Sequence, residues 1–149
     1  MTGEDHWQTF LDPRFALRFR YPTLTPQGHA THMRESVFAE TVRFHLSSEK
    51  SDEVYFEVSY LPQVLPQDSI RLLMQDVQTR LKAQVEPVYT AAFMELEAQV
   101  VDFSWSEMQR QAFYVVHGAV LYRILYDPLS ELNLQIRDTL TFLLPDDAL

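Results

Sequence analysis

The stretch QAFYVVHGAVLYRILY, Gln111 to Tyr126, decides the fold. Gln111–His117 and Ala119–Tyr126 are rich in β-branched and aromatic residues and predict two strands. His117-Gly118 predicts a tight turn between them, because glycine takes positive φ without steric cost. Both alternating faces are apolar, with Phe113 and Val115 on one and Tyr114 and Val116 on the other. Strands of that kind belong near the middle of a sheet covered on both sides.

Working outward, Asp127-Pro128 predicts a helix start, with aspartate as cap and proline at the first helical position. Leu129, Leu132, Ile136, Leu140 and Leu143 form its core stripe, and Pro145 with the acidic tail ends it. On the other side, Val101, Phe103 and Trp105 alternate in a strand over 100–105. Thr90 to Glu97 suits helix or strand equally, so residues 88–99 stay unassigned. Ile70, Leu73, Met74, Val77 and Leu81 recur at helical spacing, with Arg71, Gln75, Gln78 and Lys82 opposite. Asp68 is expected to cap this helix, and Pro87 lies past its far end.

Three strands are predicted before that helix. Phe15 to Tyr21 sets Leu17, Phe19 and Tyr21 against Ala16, Arg18 and Arg20, and Pro22 stops it. Ser36 to Leu46 follows a loop from Thr23 to Arg34, and its apolar face is broken by Glu40. The polar turn Ser47 to Asp52 leads to Val54–Leu61, which predicts an antiparallel pair. Met1 to Asp12 reads as an N-terminal arm anchored by Trp7 and Phe10. The order β–β–β–α–β–β–β–α predicts an α+β fold: a mainly antiparallel sheet of about six strands with two main helices, in one domain over residues 1–149.

Composition narrows the function. Twelve basic residues face 21 acidic ones, for a net charge of −9, so a broad basic face for nucleic acid or an anionic membrane is not expected. The absence of cysteine excludes disulfides, thiolate metal sites and cysteine nucleophiles. No apolar run reaches the length of a membrane span, and the polar, acidic first twelve residues are unlike a secretory leader. A cytoplasmic location is expected.

Catalytic signatures are sparse. There is no phosphate-binding glycine loop and no nucleophile elbow. His29 and His32, with Glu35, have a spacing that could hold a metal, but an exposed polar loop explains them as well. Glu95, Glu97, Asp102 and Glu107 lie in a stretch without lysine or arginine and read as a solvated sheet edge. The aromatic residues around Trp105 read as core, since few basic residues interleave with them. No catalytic residue, cofactor site or metal site is assigned, and an enzyme is not expected.

Five arginines occur in residues 14–43 against Glu35 and Glu40. Arg18 and Arg20 share one face of the first strand and are the candidate partner-binding residues, since guanidinium grips carboxylates in bidentate pairs. The competing reading, which the acidic composition favours, is that acids on adjacent strands answer them.

The opening Phe-Ala-Leu-Arg-Phe-Arg-Tyr-Pro, Phe15 to Pro22, resembles the first strand of PsbP-like proteins. Tyr122 to Tyr126, followed by a helix and Leu140-Thr141-Phe142-Leu143, resembles that family's last strand and C-terminal helix. The resemblance spans roughly residues 15–144 and is carried by element order more than by single residues. Thr23 to Gly28 stands where the family often has a tryptophan. The family includes an extrinsic photosystem protein, a Ran-binding nuclear-import factor and many bacterial proteins, and has no shared catalytic residues. The resemblance implies an α/β/α sandwich and a non-enzymatic, protein-interacting scaffold domain. The alternative is a small-ligand-binding protein or enzyme with a pocket near the Thr23–Glu35 loop or beside Trp105. A protein partner is expected, nucleic acid and membrane are not, and self-association into a homo-oligomer is a third option.

Overall fold

A computed structural model describes residues 6–14, 16–38, 41–48, 54–62, 65–93, 95–117 and 120–142. The decisive pair is as the alternation implies. β9 (Met108–His117) pairs antiparallel with β10 (Val120–Tyr126), with His117 opposite Val120. Gly118 and the expected turn lie outside the described residues. β5 (Tyr55–Pro62) lies on the far side of β10, and β8 (Leu96–Trp105) on the far side of β9. Further out are β4 (Thr41–Ser48) with β3 (Thr31–Phe38) at one edge, and β6 (Gln84–Val85) at the other. β7 (Tyr89–Phe93) pairs with the remaining outer length of β8. All pairings are antiparallel.

The two faces of this sheet are covered differently. On one lies α1 (Pro66–Arg80), whose Ile70 and Val77 are buried with Val101, Phe103, Ala112, Tyr114, Leu121 and Leu125. On the other lie α2 (Glu131–Asp138) and a small sheet of β1 (Trp7–Asp12), β2 (Leu17–Pro22) and β11 (Thr141–Phe142). Aromatic rings join the small sheet to the large one. Phe10 stands 4.6 Å from Phe44, and Phe19 stands 5.5 Å from Phe56. Ile136 is fully buried beneath them, and Asn133, also fully buried, accepts a bond from the Tyr55 amide through Oδ1. The α+β class, the antiparallel sheet and the two helices are as expected, and Val77 and Ile136 are core while Leu73 and Leu132 are half-buried.

Several local readings need correction. The predicted strand over 36–46 is two strands of a hairpin, with Phe38 opposite Thr41. Most of β3 is exposed, so it carries no apolar alternation; Ala39 and Glu40 lie outside the described residues. The presumed loop therefore ends earlier, at a turn where Gly28 takes φ +86° and donates to the Thr25 carbonyl. Of the residues read as an arm, Trp7–Asp12 form β1, held by its ladder to β2, and residues 1–5 lie outside the described residues. Asp68 does not cap α1. Leu65 is the N-cap, Pro66 opens the helix, and Asp68 sits in the first turn, 3.6 Å from Arg71, where the helix dipole favours a carboxylate.

The second helix starts later than expected. The Asp127 carboxylate accepts from the Leu129 amide in a turn, and the Ser130 hydroxyl caps α2 by accepting from the Asn133 amide. Leu129 is 71% exposed, so it is no part of the core stripe. Leu140 is buried, but beyond the helix, and the chain then returns to the small sheet as β11. Leu143 and Pro145 lie outside the described residues. Lys82 ends α1 with φ +57°, and the Ala83 amide folds back to the Val77 carbonyl.

Candidate functional site

Arg18 and Arg20 lie on β2, whose alternation buries Leu17 and Phe19 and turns both guanidiniums outward. Arg18 is in register with Leu11 and Thr141, and Arg20 with Thr9, so this outer face groups two cations, two threonines and a leucine that is 54% exposed. Two other arginines of the region are answered as the competing reading requires, while Arg34, like Arg18 and Arg20, has no carboxylate partner among the described residues. Arg14 bonds Asp12 and Glu35, each at 2.8 Å, and Arg43 approaches Glu57 at 3.8 Å. Among the described residues, no carboxylate pairs with Arg18 or Arg20.

The other candidates disperse. Glu35 is engaged by Arg14, His32 is exposed on β3, and the His29 backbone closes the Thr25 turn. Glu97 and Asp102 lie on β8, and Glu95 and Glu107 in the turns at its two ends. Asp102 accepts from Gln111 at 2.8 Å. Among the described residues no group of three or more histidines and carboxylates could hold a metal ion.

Trp105 has a different setting. It lines a cavity of about 470 Å³ between α1 and the sheet. The floor is polar, which no alternation predicts. Glu57 is 1% exposed, Ser59 is fully buried, and Arg110 is 6% exposed. Glu57 Oε1 accepts from Arg123 at 3.0 Å and from Ser59 at 3.3 Å, while Oε2 accepts from Tyr55 at 3.1 Å. Burial, together with the Glu57 charge, pushes the Tyr55 hydroxyl up to about 12. The Arg110 guanidinium lies 4.1 Å from the centre of the Tyr55 ring and 5.5 Å from that of Trp105. The His45 ring lies tilted against that of Tyr55, with centres 4.8 Å apart, and burial lowers its pKa against the opposing pull of Glu57. A row from Phe103 through Trp105, Arg110 and Tyr55 to His45 thus crosses one end of the sheet. The sequence reading offers a pocket beside Trp105 as its alternative, but it does not foresee this polar row, because the participants lie on four strands; the signal available was a charged residue, Glu57, Arg110 or Arg123, within a strand.

No family model and no curated protein matches the chain in sequence. Among solved structures, it is similar to the solution structure of cyanobacterial PsbP (CyanoP) from Synechocystis sp. PCC 6803. The match has a TM-score of 0.62 at 10% identity and covers 92% of each chain. The chain has the PsbP-like fold. The two sheet faces described above are those of the α/β/α sandwich that the PsbP-like resemblance implied. The cytoplasmic expectation is corrected: the match to CyanoP does not bear it out, and an acidic N-terminus and a missing apolar span are no basis for a cytoplasmic assignment. Among the described residues, no helix is long and apolar enough to cross a membrane.

Proposed function

We propose that the chain is a non-catalytic protein-interaction domain, and that the outer face of its small sheet docks an acidic segment of a protein partner. The observation that carries this is the pairing state of Arg18 and Arg20. Both are exposed and unanswered by any carboxylate among the described residues, in a chain with nine more acids than bases. In such a chain, two neighbouring guanidiniums left open supply the forked donors that bind carboxylates. Leu11, exposed on the neighbouring strand in register with Arg18, supplies the apolar contact that interface cores need, with charges at the rim setting orientation. The PsbP-like fold shared with CyanoP supports a protein-associated role in general terms. A net charge of −9 works against phosphate backbones, because nucleic-acid affinity comes from many cations releasing counterions.

The test is a photo-crosslinking residue at position 11 in the native host, with the adduct site mapped by mass spectrometry. The expected adduct lies in or beside an acidic stretch, and Arg18→Glu with Arg20→Glu removes it. An adduct yield indifferent to charge reversal, or an adduct with a second copy of this chain, would reject the reading.

A further inference from the structure

We propose that the cavity between α1 and the central strands binds a small planar organic carboxylate, gripped by Arg110 and Arg123. This site is on the opposite face of the large sheet from Arg18 and Arg20 and does not depend on the docking proposal.

The argument rests on what the charges in the cavity already do. Glu57 is used up: Arg123, Ser59 and Tyr55 all donate to it, and Arg43 also turns towards it. At the mouth, Arg80 is matched by Asp76 at 3.0 Å. Two buried donors are left over. Arg110 is 6% exposed, and among the described residues its guanidinium donates a hydrogen bond only to the neighbouring Gln109 carbonyl, at 2.7 Å. No carboxylate pairs with it among the described residues. Arg123 Nε is buried with no hydrogen-bond partner. Removing a cation from water without an anion to meet it is unfavourable, and an unused N–H adds to the cost. A site that keeps both is completed by an anion.

The remaining wall selects among anions. Phe103 and Trp105 stack at 5.8 Å, and α1 contributes Leu73 and Val77. Flat aromatic and aliphatic surfaces of that kind suit a planar apolar body, while the guanidinium fork suits a carboxylate. A volume of about 470 Å³ accommodates a compact small molecule. A polyphosphate is disfavoured, because the chain as a whole carries −9 and repels multiply charged anions.

The test uses a Trp7→Phe protein, in which Trp105 is the only tryptophan. Three probes are titrated: 1-naphthoate, its neutral counterpart 1-naphthalenemethanol, and inorganic phosphate. Tryptophan fluorescence and the thermal midpoint are followed together. The expected result is saturable quenching and a raised midpoint with 1-naphthoate, and with neither of the others. Arg110→Gln is expected to weaken 1-naphthoate about 10-fold or more. Arg110→Lys, which keeps the charge and loses the fork, and Leu73→Phe, which narrows the cavity from α1, are expected to weaken it too. These two decide the matter if Arg110→Gln does not fold by circular dichroism. Arg18→Glu with Arg20→Glu is expected to leave it unchanged. No saturation up to about 10 mM overturns the proposal. So does equal binding of the alcohol or of phosphate, or full affinity in both Arg110→Lys and Leu73→Phe.

Discussion

Glu57 Oε1 accepts a hydrogen bond from Arg123 Nη2 at 3.0 Å across the β5–β10 ladder, on a diagonal, since Glu57 is in register with Leu125 and Arg123 with Ser59. The carboxylate is almost wholly buried and the guanidinium mostly so. This pair fixes the floor of the α1-side cavity.

Breaking it from one side leaves a buried cation without its anion. Glu57→Gln is therefore expected to lower stability by about 3–5 kcal/mol. Glu57→Gln with Arg123→Met, which removes both charges, is expected to recover a large part of that loss. Denaturant unfolding of the single and double variants checks both; equal losses would mean that the charges are not coupled.

His45 gives an acid-side prediction. Burial lowers its pKa from the ordinary 6.5, with Arg43, Arg34 and Arg110 adding to the shift and Glu57 opposing it. A depressed base contributes stability above the unfolded-state pKa, and that contribution is lost as pH falls through the folded-state pKa. Below about pH 6.5 the denaturation midpoint of the native chain should fall more steeply than that of His45→Phe. Parallel slopes would show that the imidazole is not responsible.

The alkaline side belongs to the tyrosines. Burial raises Tyr55 and Tyr122 to about 12, and raises Tyr60, Tyr114 and Tyr126 as well. A phenol whose folded pKa lies above the ordinary 10 stabilises fully below pH 10 and loses that contribution as pH rises towards 12. Tyrosinate absorbance and unfolding should accordingly rise together in that window. Full tyrosinate absorbance near pH 10 in a chain that is still folded would contradict the burial.

Lys82 holds φ +57° at the end of α1, where glycine is the usual choice. Lys82→Gly is expected to raise stability by up to about 1 kcal/mol by relieving the left-handed strain. The same change at Gln78, inside the helix, is expected to lower it by about 1 kcal/mol, and thermal unfolding of the two variants separates local strain from a general effect of glycine.

How much was legible in advance follows from which interactions are local. The central strands announced themselves because both of their faces are buried, which forces apolar residues at successive positions. α1 was equally plain, because one buried stripe imposes helical spacing on Ile70, Leu73 and Val77. Exposed β3 left no such trace, and β1 was hidden because a short strand on a three-stranded sheet needs few apolar anchors. Asp127 was mistaken for a cap because Asx turns and helix N-caps use the same side-chain chemistry.

What the amino-acid sequence determined by itself, therefore, was the class of the fold, its two helices, its antiparallel sheet and its acidic character. The first three depend on periodicity, which neighbouring residues carry among themselves, and the last on composition alone. The state of each charge was decided by the tertiary structure alone. Arg14 and Arg43 are answered, Arg18 and Arg20 meet no carboxylate among the described residues, and Arg110 is buried against two rings. A salt bridge or a cavity wall depends on which distant strands become neighbours, and Tyr55, Trp105, Arg110 and Arg123 meet only after β5, β8, β9 and β10 have assembled.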